Sequence, residues 1–367
     1  MRSLQVRDPE MVKAPILESP GFAKKGLSDY HLDLARRCGA SCSYCSTNDG
    51  YPMRVNKARL ITLAKAQLGE TVDPTRDPGI AITWDADEVM RRLDAQLSRK
   101  PATWGAGEVL MVSQLTDAFI GYPLTSGLTR RALDAVLART AFRIRVLTKC
   151  DVVGRDEWIT YFKAHPGRFV VGLSVGTTDD AWASRVELGT SKPSARLRAL
   201  QRLQDAGVDT FGMLCPIFPD MLRSDGAEDV DALIDAIKPS RCETVWAEPY
   251  NNRDNWRTVR DGYEKGSVGR TWFDDVYGGV DRKRGAMLWS RYATALYERL
   301  RRRARDGGWL GKLAYLLYED QITAADAATF AGFDGVLLQS KPDEATGKSR
   351  NPHLAALQSN AGHGRVT

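Results

Sequence analysis

The 367-residue sequence has no uninterrupted apolar run of about 18 residues, the length a membrane-spanning helix needs. Residues 1–29 carry charges throughout and lack the apolar core of a secretory signal. A cytoplasmic location with no membrane partner is therefore expected. Histidine is scarce, at His31, His165, His353 and His363 alone. There is no GxxxxGK(S/T) phosphate loop, no HExxH and no GxSxG, which removes the usual marks of a P-loop enzyme, a zinc protease and a serine hydrolase. No repeat recurs at a fixed period, which excludes a solenoid. An apolar fraction of 43% against a charged fraction of 27% excludes a disordered or collagen-like chain.

Lys plus Arg number 52 and Asp plus Glu 46, a net charge of +6. That mild excess suits an anionic partner, but both signs are mixed along the chain. The six cysteines are Cys38, Cys42, Cys45, Cys150, Cys215 and Cys242, and the first three are crowded together. In a reducing compartment such a crowd points to metal binding or chemistry rather than to disulfides.

Apolar runs of strand length fall at 30–35, 109–112, 144–147, 169–174, 210–214 and 244–247. Helical periodicity separates them. Val89, Leu93 and Leu97 make one stripe over 86–97, Leu133, Val136 and Leu137 another over 129–138, and Leu197, Leu200 and Leu203 a third over 193–206, closed by Gly207. A further helix is expected at 228–237. This βαβα order predicts an α/β protein with parallel strands and covering helices. A partial TIM-like barrel and a doubly wound open sheet both satisfy it. Residues 248–279, with Trp256, Trp272 and Tyr277, read as a long irregular segment. A long helix follows at 284–305, then a short helix at 324–330, a strand at 336–339 and a loose tail at 362–367. The expected organisation is an N-terminal extension over 1–29, a barrel over 30–250, and a C-terminal α-rich cap or substrate region over 251–367.

Cys38-Gly-Ala-Ser-Cys42-Ser-Tyr-Cys45 has the spacing CxxxCxxC. Three thiolates on one short loop suit a single metal centre. Structural zinc takes four ligands, and only His31 lies nearby to add one. Iron–sulfur clusters normally take four thiolates, so three would leave one iron of a four-iron cluster open to a further ligand. A structural zinc site or three incidental cysteines is the alternative. The triad follows the first expected strand, at the end where parallel barrels carry their chemistry.

CxxxCxxC after a first strand, with the aromatic Tyr44 before the last cysteine, resembles the radical S-adenosylmethionine (SAM) superfamily. The resemblance implies a partial (β/α)6 barrel and a 4Fe-4S cluster on Cys38, Cys42 and Cys45. It further implies SAM on the open iron, cleaved to methionine and a 5′-deoxyadenosyl radical that takes hydrogen from a substrate, with a reducing partner such as flavodoxin or ferredoxin. Within that superfamily the sequence is most similar to the spore photoproduct lyase-like group. Leu115-Thr116-Asp117, Leu147-Thr148-Lys149, Leu173-Ser174-Val175, Glu187-Leu188-Gly189-Thr190-Ser191 with Arg196-Leu197, and Gly207 with Cys215-Pro216-Ile217 carry that likeness in order. It implies that Thr116, Asp117, Lys149, Ser174, Glu187 and Tyr44 surround SAM, with Gln114 beside them. Each has a plainer role open to it. Asp117 could cap a turn, Glu187 could pair with Arg185 or Arg196, and Tyr44 could pack in the barrel wall.

Two departures set the chain apart from the lyase. Gln114 stands where that group carries its hydrogen-returning cysteine, and Ser46 and Thr47 stand where it carries tyrosines. Cys150 and Cys215 are the replacement candidates for hydrogen return, while Cys242 reads as a buried inert thiol. A nucleic acid or nucleotide substrate is favoured by the basic balance, by the aromatics of 250–272, and by Arg299, Arg301, Arg302, Arg303 and Arg305. A small molecule or peptide is favoured by the missing hydrogen donor. A non-enzymatic metal-binding module is the third reading.

Overall fold

A computed structural model describes residues 2–7, 15–45, 47, 55–74, 77, 79–222, 230–252, 255–340, 342–343 and 345–360. The chain forms two compact units, one made of 1–174 with 180–210, the other of 175–179 with 211–367. The expected boundary near residue 250 does not coincide with this division. Among the described residues, no helix is long and apolar enough to cross a membrane.

The first unit is mixed α/β and holds two sheets. The larger runs β2 (Ile16–Glu18), β3 (Tyr30–Leu32), β6 (Val109–Val112), β7 (Arg143–Thr148) and β8 (Phe169–Ser174). Strands β3, β6, β7 and β8 are mutually parallel, and β2 is antiparallel to β3. Every residue of β8 is buried, as expected of a parallel strand covered on both faces. The smaller sheet pairs β1 (Arg2–Val6), β5 (Ile80–Trp84) and β4 (Ala35–Arg37), in the order β1-β5-β4. Residues 1–29 thus contribute strands to both sheets rather than forming an extension.

Helices α1 (Lys57–Leu68), α2 (Ala86–Leu97), α3 (Leu128–Arg139), α4 (Asp156–Lys163), α5 (Asp180–Val186) and α6 (Pro193–Asp205) belong to the same unit. Helix α2 starts at Asp85, whose carboxylate accepts the backbone N–H groups of Asp87 and Glu88, both at 3.2 Å. It buries Val89, Leu93 and Leu97, the stripe expected from sequence. Helix α6 begins with a proline and gives way to Gly207 at φ +78°, a left-handed position that suits glycine.

The strand expected over 30–35 is broken in two. Strand β3 stays in the large sheet, while β4 turns away to pair antiparallel with β5. Between them Asp33 is buried, and it accepts hydrogen bonds from Leu115 N at 3.1 Å and Thr116 Oγ1 at 3.0 Å. The cysteine triad therefore leaves from β4 of the small sheet, not directly from the first strand of the large one.

The second unit carries β9 (Thr210–Ile217), β10 (Cys242–Pro249), β11 (Leu313–Leu317) and β12 (Val336–Leu338), neighbours in that order. Strands β10, β11 and β12 are parallel. Its helices include α7 (Val230–Ile237), α8 (Trp256–Asp261), α9 (Val268–Phe273), α10 (Arg282–Asp306) and α11 (Pro352–Asn360). The segment expected to be irregular holds α8 and α9, because Trp256, Val259 and Phe273 are apolar anchors that drive local burial. Helix α10 is capped by Asp281 and buries Trp289, Tyr292, Leu296 and Leu300. The expected helix positions 228–229, Ser46, and the tail 362–367 lie outside the described residues.

Candidate active site

The cysteine loop leaves β4 and turns through Ser41, whose φ of +50° lies in the left-handed region. Backbone bonds stitch it to the segment after α5. Ser43 N donates to Val186 O at 2.8 Å, Gly189 N donates to Ala40 O at 2.9 Å, and Cys42 and Glu187 form an antiparallel bridge. Ala40, Cys42 and Ile120 make a small buried cluster, against which Cys38, Tyr44, Cys45 and Cys150 pack. All these cysteines are free thiols. Cys45 Sγ lies 2.9 Å from Thr47 Oγ1.

Burial pushes the Cys38 thiol up to about 12, and the neighbouring Cys45 and Asp117 charges push the same way. Burial also holds Cys42 well above the ordinary thiol range, with Glu187 adding and Lys149 opposing. Thiolates are costly in this loop without a cation, and a bound metal centre would remove that cost. The donors fit such a centre in type and number, and they lie within electrostatic reach of one another. Among the described residues, no three Cys, His, Asp or Glu side chains are grouped at the spacing of a metal's ligands.

Beside the loop stands a buried charge network. Glu187 accepts from Lys149 Nζ at 3.0 Å, and from Tyr44 OH and Arg196 Nη2. Lys149 Nζ also donates to Ser174 Oγ at 2.8 Å and sits 5.5 Å above the Tyr44 ring. Arg196 is fully buried, and its Nη1 donates to the Ser174 carbonyl. Burial alone would raise the Glu187 carboxyl, but Lys149, Arg196 and Tyr44 outweigh it and hold the group at about 2. Lys149 and Ser174 arrive at the C-terminal ends of β7 and β8, and Glu187 at the end of α5. Tyr44, Lys149, Ser174, Glu187 and the cysteine loop are thus brought together, with Cys150 alongside.

Asp117 is a buried hub. It accepts from Thr148 Oγ1 at 2.8 Å, Lys149 N at 2.8 Å and Phe119 N at 2.9 Å. Burial raises its carboxyl in spite of those bonds. It ties the loop after β6 to the end of β7, the turn-capping role open to it from sequence. Thr116 donates to Asp33, and Gln114 accepts from Ser19 Oγ. Sequence reasoning missed Asp33 and named Thr148 only within a motif, without a role. A polar residue inside an apolar run was the only available signal for Asp33.

Cys215 belongs to the second unit. Its thiol donates to Glu248 Oε2 at 3.0 Å, and Tyr318 OH donates to the other carboxylate oxygen. Cys242 is buried and faces the Ile237 carbonyl at 3.6 Å, the inert role expected of it. The arginine run of α10 is largely paired. Arg299 grips Asp231 through Nε at 3.0 Å and Nη2 at 2.8 Å, Arg303 pairs with Asp235, and Arg301 and Arg305 share Asp334. Tyr250, Trp256 and Tyr263 are buried, and the Tyr250 and Phe273 rings meet at 4.9 Å. These aromatics form apolar core, not an open stacking platform.

No family model matches the chain. It is 22% identical over 244 residues to an uncharacterized protein of Acidianus two-tailed virus, covering 66% of this chain and 73% of that protein. An uncharacterized protein of Mycobacterium tuberculosis is 30% identical over 101 residues, 28% of this chain and 29% of its own length. An uncharacterized protein of Methanocaldococcus jannaschii is 28% identical over 133 residues, 36% of this chain and 47% of its own. Among solved structures, spore photoproduct lyase with bound AdoMet and dinucleoside spore photoproduct aligns over 92% of this chain and 82% of its own, at TM-score 0.45 and 15% identity. The lyase complexed with the dinucleoside product alone gives TM-score 0.46 and 14% identity over the same shares. Scores this low bear on neither activity nor substrate.

Proposed function

We propose that the chain is a radical SAM enzyme, built on a partial barrel, with Cys38, Cys42 and Cys45 as the cluster ligands. One observation carries the reading. The CxxxCxxC loop is hydrogen-bonded along the Val186–Gly189 backbone, beside the Lys149–Glu187–Ser174–Tyr44 network at the ends of two parallel strands. Bound there, a 4Fe-4S cluster would supply the electron that cleaves SAM to methionine and a 5′-deoxyadenosyl radical. Lys149 and Ser174 offer an ammonium and a hydroxyl to the SAM carboxylate. Glu187, kept ionised by its cations, is suited to a ligand ammonium. Tyr44 places an aromatic face beside Lys149, and Thr116, Asp117 and Gln114 fix the loop after β6 through Asp33, Thr148 and Ser19. Cys150, packed on the cysteine loop, is one candidate for hydrogen return, and Cys215 is the other.

Reconstitution with iron and sulfide without oxygen is the test. Four irons per chain, and 5′-deoxyadenosine formed on adding dithionite and SAM, are expected. Cys42→Ala should abolish both. A native chain that takes up zinc but no iron–sulfur cluster would return the reading to a structural metal module. For the substrate, the paired arginines and the buried aromatics weaken the case for nucleic acid and favour a small molecule or peptide. Deuterium transfer from candidate substrates into 5′-deoxyadenosine identifies the hydrogen donor directly.

A further inference from the structure

Cys215, Glu248 and Tyr318 all belong to the second unit. Cys215 and Glu248 lie near the ends of β9 and β10, and Tyr318 directly follows β11. Those strands are neighbours, so three distant stretches of sequence deliver a thiol, a carboxylate and a phenol to one place. The residues just before them, Leu214, Ala247 and Leu317, are completely buried. Cys215, Glu248 and Tyr318 are themselves half-buried, so they stand on a packed floor and are partly reachable from solvent.

The hydrogen bonds run in one direction. Cys215 Sγ donates to Glu248 Oε2 at 3.0 Å, and Tyr318 OH donates to Glu248 Oε1. A carboxylate that takes a proton donor on each oxygen acts as an acceptor only, the role of the ionised form. The thiol proton is thus aimed at a base, and the base is held in place by a third group. A nucleophile, a base within reach of its proton and a group that orients the base are the parts of an activated nucleophile. Cys242, in the same unit, shows the contrast. It is 2% exposed, and its thiol faces a backbone carbonyl at 3.6 Å. A thiol that only fills space needs no carboxylate beside it, and a carboxylate drawn out of water costs free energy.

We propose that Cys215 is a nucleophile, with Glu248 as its general base and Tyr318 as a positioning residue, and that it adds to an electron-poor carbon–carbon double bond conjugated to a carbonyl. As the S–C bond forms at the β-carbon, the S–H proton passes to Glu248 Oε2 and the π electrons shift onto the α-carbon and its carbonyl. Glu248 then gives the proton to the α-carbon. Nothing is oxidised or reduced, no group leaves, and the carboxylate ends as it began. One base that takes a proton and returns it completes such an addition, and the reverse steps release the ligand. This role is distinct from hydrogen return and does not require a cluster on the cysteine loop.

The test uses N-ethylmaleimide on the full native chain without oxygen, with the adduct on each cysteine followed by peptide mass spectrometry. Cys150 is the internal control. In D2O the reaction of Cys215 is expected to slow by more than that of Cys150, because its proton is in flight as the S–C bond forms. Glu248→Gln should slow Cys215 by about 100-fold and leave Cys150 unchanged. Tyr318→Phe should slow Cys215 by less and keep the isotope effect. Equal rates at Cys215 in native chain and Glu248→Gln, or no extra slowing in D2O, overturn the proposal. A merely structural hydrogen bond would lower the thermal midpoint of Glu248→Gln and leave both kinetic readouts unmoved. If Glu248→Gln does not fold, the native isotope effect and Tyr318→Phe still decide. The ligand class is tested with p-nitrophenyl acetate. Acetyl transfer to Cys215 as fast as its capture of maleimide would make this an acyl-transfer site and overturn the addition.

Discussion

Glu187 takes hydrogen bonds from a phenol, an ammonium and a guanidinium in a place closed to water. Removing one member of a buried ion network leaves the others uncompensated, which typically costs about 3–5 kcal/mol. Glu187→Gln is expected to lower stability by about that much, read by urea unfolding at neutral pH. The pH dependence follows from the depressed carboxyl. Its folded value is about 2 against an ordinary 4.5, so the stabilisation is full above 4.5 and drains away as pH falls towards 2. The gap between native and Glu187→Gln stability should narrow across that window and stay constant from pH 6 to 8. A gap that widens on acidification would refute the assignment. Arg196 was legible in sequence only as one of two possible partners of Glu187, since spacing along a chain cannot say which of two arginines is folded inward.

At the scale of elements, the regular parts were legible and the turns were not. Strand β8 and helix α2 carry the bounds expected from sequence: a stripe at four-residue spacing marks the helix, and the strand-length run Phe169–Ser174, with two valines, falls between two helical stretches. The short strands β1, β2 and β5 escaped notice, and so did β11, since brief apolar stretches fit strand and helix equally well. At the break Asp33 bonds to Thr116, far along the chain, a pairing that no local pattern gives. Two element-scale predictions follow from contacts within one unit each. Leu93 in α2 is completely buried, so Leu93→Ala should cost about 2–5 kcal/mol, visible as a lower urea midpoint at unchanged slope. At Gly176 a Cβ would stand 1.8 Å from the Pro216 carbonyl oxygen. Gly176→Ala must displace backbone, and a loss towards the upper end of about 1–3 kcal/mol is expected from the thermal midpoint. An unchanged midpoint would show that this approach is not held in solution.

For the molecule as a whole, a net charge of +6 overstates what is available to a polyanion. Arg299, Arg301, Arg303 and Arg305 already face Asp231, Asp235 or Asp334. Fluorescence anisotropy with a labelled oligonucleotide should therefore show weak binding, with a shallow dependence on salt between about 50 and 200 mM. Tight binding with a steep salt slope would reopen the nucleic acid reading. The seam between the cysteine loop and the Val186–Gly189 backbone has a consequence for turnover. Two segments distant in sequence share one set of hydrogen bonds, so they open together or not at all. Leu188, on that seam, is 65% exposed. On the cluster reading, loss of the group held by the cysteines would loosen both segments at once and offer Leu188 to a protease, linking the lifetime of the chain to its iron supply.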